Sequence, residues 1–237
     1  MTMDIKAPSV LSSELFEPRQ AYDLAARYYD SWIWQEFWRS NEARVAIDLL
    51  SNFEGVTAAL DVGAGTGFYL KELEDRNIFA IGVDVSLEML RQARARLDRG
   101  VPLIVADATA LPIANQKFDL VLCTRVLSHV RDLNGAFAEI GRVLKQQGRL
   151  LISDVDVQHS YTETHLPAGD RKLRVRTHKR SADCVFEIAK QSGGLALHTV
   201  RRLDAHNVSL GSTASKLRTL DLTGTRAIGY VALLSRP

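Results

Sequence analysis

Ala59-Leu60-Asp61-Val62-Gly63-Ala64-Gly65-Thr66-Gly67-Phe68-Tyr69-Leu70 is the stretch from which the rest of the chain is read. An apolar run breaks into three glycines spaced two apart and then resumes with helical character, which gives strand, tight turn, helix. Glycine suits such a reversal because it reaches positive φ without steric cost and lets a ligand approach bare backbone. A helix beginning near Thr66 aims unpaired N–H groups at whatever lies above the turn, which favours an anionic group such as a carboxylate or phosphate. The spacing is G-x-G-x-G, whereas the dinucleotide fingerprint needs glycine where this chain has Phe68. A glycine turn that holds no ligand is the plain alternative to a nucleotide-like cradle.

Outward from the turn, apolar runs alternate with helical patterns. Ile78 to Val83 is a second buried strand and stops at Asp84, where a carboxylate can accept both hydroxyl protons of a ribose diol. Ser86 caps the next helix. Val101 to Val105 ends at Asp107-Ala108-Thr109, where Asp107 is either an acceptor for an adenine amino group or a simple turn cap. Phe118 to Cys123 is the fourth strand, Leu133 to Lys145 a helix, and Arg149 to Asp154 the fifth strand. This rhythm predicts a parallel sheet with helices on both faces and ligands at the carboxyl ends of the strands. The glycine turn, Asp84, Asp107 and the loop from Thr124 all fall at such ends.

The remaining features bound the class. With 237 residues, 46% hydrophobic, 24% charged and a formal net charge of +2, the chain suits one α/β domain and gives no global argument for nucleic acid or membrane binding. Two cysteines, Cys123 and Cys184, are too few for a disulfide framework or a zinc site. No run is long and apolar enough to span a bilayer and residues 1–16 lack a leader pattern, so a cytoplasmic place is expected. Residues 1–18 read as a mobile arm. Gln20 to Leu50 is helical and rich in aromatic residues, either packed on the main domain or forming a lid over a pocket. Arg171 to Arg180 is the most basic run, and its alternation from Leu173 predicts an exposed strand, as a solvated edge or as a surface for an anionic acceptor or partner.

On Leu60 to Gly67, Gly82 to Leu90, Asp107 to Pro112, Phe118 to Val121 and Glu139 to Lys145 with Gly148, the chain resembles the class I S-adenosylmethionine-dependent methyltransferases, in particular the small-molecule group similar to the ubiquinone and menaquinone biosynthesis enzymes. The matching pieces cover about residues 57–155 and occur in the family's order. The resemblance implies a doubly wound, Rossmann-like, mostly parallel seven-stranded sheet with its last strand antiparallel, helices on both faces and an N-terminal helical lid. It implies S-adenosylmethionine as cofactor, held by Asp61, Gly63, Ala64, Gly65 and Gly67 at the methionine end. Asp84 would take the ribose, Val85, Met89, Asp107 and Ala108 the adenine, and the backbone near Cys123 would lie beside the sulfonium. The expected organisation is one domain over 1–237, with an arm and lid at 1–50, a cofactor core at 51–155 and an acceptor segment with the last two strands at 156–237. One departure is Gln146-Gln147-Gly148, where the family usually has Pro-Gly-Gly.

The function expected on these grounds is methyl transfer to O, N or C of a small aromatic or heterocyclic metabolite, mainly by alignment of donor and acceptor. His129 is the candidate general base. His159, His165, His178, Tyr28 and Tyr29 are weaker candidates for that base, and Tyr22, Tyr28, Tyr29, Trp32 and His159 are candidates for the acceptor pocket. No metal is expected, no nucleic acid or membrane partner, and a monomer or homodimer. The alternatives are an RNA methyltransferase using the run 171–180, and a cofactor-binding regulator or scaffold that does not methylate.

Overall fold

A computed structural model describes residues 10–51, 53–98, 100–156, 163–203 and 227–237. Its centre is a seven-stranded sheet built from β2 (Ala58–Val62), β3 (Phe79–Asp84), β4 (Leu103–Val105), β5 (Phe118–Thr124), β6 (Leu144–Val155), β9 (Ala196–Leu203) and β10 (Gly229–Ser235). The strand order is β4-β3-β2-β5-β6-β10-β9, and β10 runs antiparallel to both its neighbours. The doubly wound, mostly parallel seven-stranded architecture is therefore present. β2 and β5 are buried on both faces, which is why they read as unbroken apolar runs. Asp119 registers the two: its Oδ2 accepts from the N–H and hydroxyl of Thr57 and the N–H of Ala58, while Lys145 pairs with Oδ1 at 2.7 Å.

Side chains alternate across the sheet and fill two layers. One holds Leu60, Val121, Cys123 and Ile152 against α6 (Leu133–Val143) and α7 (Ala182–Gly193). The other holds Ala59, Leu120, Leu122 and Leu151 against α3 (Arg44–Ser51), α4 (Phe68–Glu74) and α5 (Leu87–Arg96). Each fully buried Leu or Phe, such as Leu122 or Phe137, contributes about 1.5–3 kcal/mol. The helices start where the caps stand: Ser86, Asp132 and Ser181 each accept a backbone N–H of the first turn with their side chains.

Two expectations need correction. Residues 10–16 are not part of a mobile arm: Val10–Phe16 form β1, paired in parallel with β8 (Arg171–Val175). The basic run is also not an edge. β8 is the middle strand of a three-stranded sheet, β1-β8-β7, with β7 (Thr164–Ala168) antiparallel on its other side. Alternation correctly signals a strand, but Leu173 and Val175 are buried because α1 (Pro18–Tyr29) lies on them through Ala21 and Ala25. This small sheet and α1 form a cap over the carboxyl ends of the large sheet. At the Gln-Gln-Gly departure, Gln147 takes φ 60° and the turn is tied to the C-terminal residues by paired bonds with Arg236.

Candidate functional site

Strand order reverses between β2 and β5, and the crevice above such a reversal is where doubly wound sheets bind ligands. A cavity of about 1100 Å³ lies there. Its floor is the glycine turn. Gly63 and Ala64 both donate to the carbonyl of Val83, at 2.7 and 3.0 Å, which folds the turn onto the end of β3. Gly63 sits at φ 76°, and a Cβ there would stand 2.1 Å from Val126 Cγ2. Gly65 sits at φ 53°, and a Cβ there would meet nothing nearer than 3.9 Å. The first glycine is thus required by packing, and the second leaves open space above the backbone.

Two buried carboxylates flank the turn. Asp84 straps it: Oδ2 accepts from Gly65 N–H and Oδ1 from Ser86 N–H, both at 2.8 Å. Burial pushes its carboxyl up to about 6 against the pull of those N–H groups. Asp61 is 1% exposed, and its Oδ1 has no hydrogen-bond partner. Burial, with the charge of Asp84 second, lifts it to about 7. An acceptor oxygen without a donor, on the wall of a cavity, is a seat for a cationic N–H group.

Arg125 follows β5 at φ 58°, with its N–H donated to Ser153. That backbone conformation turns its guanidinium inward, over the Trp38 ring at 5.8 Å and 3.7 Å from Oε2 of Glu42. Glu42 is 1% exposed, and its Oε1 accepts from the Tyr69 and Ser153 hydroxyls at 2.7 and 2.8 Å.

The cover comes from α1 and the loop after β5. Tyr22 and His129 face each other edge-on with ring centroids 5.4 Å apart, and Tyr29 lies edge-on to Tyr22 at 5.9 Å. His129 Nδ1 is 3.2 Å from the carbonyl oxygen of Arg176, which only accepts, so Nδ1 carries the proton. Nε2 then accepts the Tyr22 hydroxyl at 3.1 Å. Burial lowers the His129 pKa and Asp154 opposes this, so the ring is neutral at pH 7 with a lone pair aimed at Tyr22. Asp154 is itself fixed by the N–H groups of Ser128 and Val155, each at 2.7 Å.

Two carboxylates of the α1 region latch the cap to the core. Asp23 accepts from Ser86 Oγ at 2.6 Å and from Glu88 N–H at 3.2 Å. Asp30 accepts from Thr66 Oγ1 at 2.9 Å and pairs with Arg96 and Arg39 at 2.6 and 2.8 Å.

Residues 60–152 match the family model described as a methyltransferase domain. A demethylmenaquinone methyltransferase of Corynebacterium urealyticum is 32% identical over 147 residues, which is 58% of this chain and 60% of that protein. A malonyl-[acyl-carrier protein] O-methyltransferase of Geobacter sulfurreducens is 39% identical over 138 residues, 55% of this chain and 49% of that one. The chain thus spans about half to three-fifths of the length of these curated relatives. In fold it is similar to an S-adenosylmethionine-dependent methyltransferase from Mesorhizobium loti, with TM-score 0.65, 19% identity, and 82% of this chain and 97% of that one covered. Over residues 60–152 the chain is thus similar to methyltransferase domains, and its fold is that of the S-adenosylmethionine-dependent methyltransferase it resembles.

Within this core, the structure brings Asp61, Gly63, Ala64, Gly65, Asp84, Val85, Met89, Asp107 and Ala108 onto the cavity wall, with Tyr22, Tyr29 and His129 opposite. Asp107 is an exposed turn cap as well, its Oδ1 taken by the N–H and hydroxyl of Thr109. Four expected residues stand elsewhere. Cys123 is fully buried in the sheet core, and its neighbours Thr124, Arg125 and Val126 line the cavity instead. Gly67 is the left-handed N-cap of α4, packed against Ala93 of α5 and Leu97 just beyond it. Tyr28 is 42% exposed on the outer side of α1, and Trp32 packs on Tyr29 outside the cavity. His159 lies outside the described residues. His165 sits on β7 beside Glu163, and His178 reaches the cavity mouth.

The residues that sequence reading missed are Glu42, Arg125, Asp23, Asp30 and Asp154. Glu42 had one usable signal, a lone acid between apolar positions of a helix; the others meet partners far away in the chain. Within the basic run, Arg174 pairs with Glu163 and Arg176 with Glu17. Arg180 is spent on the carbonyls of Val130 and Arg131 at 2.9 and 2.7 Å. These engagements take up three of the run's arginines. No helix among the described residues is long and apolar enough to cross a membrane.

Proposed function

We propose that the chain works as one catalytic unit that moves a methyl group from S-adenosylmethionine to an O, N or C atom of a small aromatic or heterocyclic acceptor. The observation that carries this reading is one cavity with a nucleoside-type floor, Gly63 to Gly65 with Asp61 and Asp84, and an aromatic, proton-accepting cover, Tyr22, Tyr29 and His129. The residues fit the cofactor. The unpartnered Asp61 oxygen suits the ammonium of its aminoacyl end, the space above Gly65 admits that end against bare backbone, and Asp84 keeps lone pairs for the ribose hydroxyls.

When bound, S-adenosylmethionine supplies an electrophilic methyl group on a sulfonium that departs as a neutral thioether. The chain therefore has little bond-making chemistry of its own to perform, and its residues act by alignment and by excluding water. Tyr22 and Tyr29 present ring faces and edges to a flat acceptor. Where the acceptor must lose a proton, it passes to the Tyr22 oxygen as the Tyr22 proton moves to His129 Nε2. The resulting imidazolium stands beside Asp154 and donates to the Arg176 carbonyl.

The test is turnover with S-adenosylmethionine against a panel of aromatic and heterocyclic acceptors, reading S-adenosylhomocysteine. Product should accumulate only with a matching acceptor. For an acceptor that must be deprotonated, Tyr22→Phe should lower kcat by about 10- to 100-fold while S-adenosylhomocysteine binds as before. Binding of the cofactor with no turnover on any acceptor would favour the regulator or scaffold reading instead.

A further inference from the structure

The cavity floor carries Asp61, Asp84 and Asp107, with the lining cations Arg125 and Arg39 held by Glu42 and Asp30, whereas the mouth carries Arg19, Arg131, Arg176 and His178. The carboxylates near the mouth are already engaged: Glu17 pairs with Arg176 Nε at 2.5 Å, and Asp132 accepts the Gly135 N–H at the start of α6. Arg180 takes up the carbonyls of Val130 and Arg131, so those oxygens do not neutralise the rim, and the same bonds fix the loop that carries Arg131. Arg19 and Arg131 are exposed, and among the described residues neither guanidinium has an acceptor. His178 registers the excess: after burial, it is Arg180, Arg176 and Arg131 that depress its pKa. A cationic cofactor is suited to the acidic floor and gives no reason for a basic mouth.

We propose that the acceptor carries an anionic group, a carboxylate or a phosphate monoester, which Arg131 and Arg19 recognise at the cavity mouth while its ring lies against Tyr22 and Tyr29. This rests on the function proposed above and adds the substrate class. Arginine suits the task because its planar fork binds either anion through two parallel N–H groups.

The experiment is calorimetric titration of benzoate, phenyl phosphate and benzamide into the full chain at low salt, with and without saturating S-adenosylhomocysteine. At least one anion is expected to bind ten-fold or more tightly than benzamide, and the tighter of the two identifies the group. Changing Arg131 and Arg19 together to Gln should remove that preference without altering S-adenosylhomocysteine affinity. Arg171→Gln with Lys172→Gln, which keeps the same net charge loss away from the mouth, should leave it intact. Equal binding of benzamide, no binding of any probe, survival of the preference in the mouth variant, or its loss in the β8 variant would each overturn the proposal. Failure of S-adenosylhomocysteine to bind would instead strike the function proposed above, with the anion preference still read from the titrations without it.

Discussion

The glycine turn and the cap made by β1, α1, β7 and β8 face each other across one cavity, yet they are assembled over very different stretches of chain. The turn's decisive bond, Gly65 N–H to Asp84, spans 19 positions within one strand–helix–strand unit. The cap's bonds are long: Tyr22 to His129 spans 107 positions, Asp23 to Ser86 63, and Glu17 to Arg176 159. Local closure costs little chain entropy and recurs wherever the motif recurs; distant closure depends on the whole fold being in place. The floor is accordingly expected to be the more rigid side of the cavity, and the cap the side able to open.

Glycine substitutions should break that contrast most sharply. Gly63→Ala places a Cβ against Val126 and forces alanine to φ 76°, and should cost more than about 3 kcal/mol in chemical denaturation. Gly169→Ala in the cap, at φ 67° with nothing nearer than the Tyr28 hydroxyl at 3.5 Å, should cost only about 1 kcal/mol. Equal costs would mean that the floor is no more constrained than the cover.

The buried carboxylate of the floor gives the next effect. Asp61 has a folded pKa of about 7 against an ordinary 3.8, so between those values the folded chain holds a proton that the unfolded chain has released. Stability should therefore fall as pH rises from about 4 to 7 and level off above, with Asp84 contributing in the same direction up to about 6. Asp61→Asn removes its share. The variant should gain on the wild type by on the order of 4 kcal/mol across that range, and a pH-independent difference would contradict the burial argument. Cofactor affinity should move oppositely, weakening below pH 7 as Asp61 takes up a proton and ceases to attract an ammonium.

Smaller still is the latch. Asp23→Ala removes the acceptor of Ser86 Oγ and Glu88 N–H, and should cost about 1 kcal/mol. Amide exchange should quicken in α1 and remain unchanged in β2 and β5. Uniform quickening would show that the cover does not open separately.

The same contrast explains what the sequence disclosed. The strand–turn–helix at Ala59 to Leu70, Asp84 at its strand end and the caps Ser86 and Ser181 were legible because each is a local pattern with a local cause. β1 was not, since a seven-residue strand is recognisable only beside its partner β8, which lies far down the chain. Arg125 was missed for a different reason: it sits at positive φ, which an arginine does not advertise, and that backbone turn directs it toward Glu42 and Trp38. Strand alternation puts the Cys123 side chain on the α6–α7 face, while the residues just after it turn to the cavity.

The central claim, that Gly63 to Gly65 with Asp84 seats the cofactor, is tested most directly by titrating S-adenosylhomocysteine into the wild type and Asp84→Ala at pH 8, with circular dichroism confirming that both are folded. One site per chain is predicted, weakened by roughly 10- to 100-fold when the carboxylate's charge-assisted bonds are lost. Unchanged affinity in a folded Asp84→Ala protein, or no binding to the wild type, would contradict it.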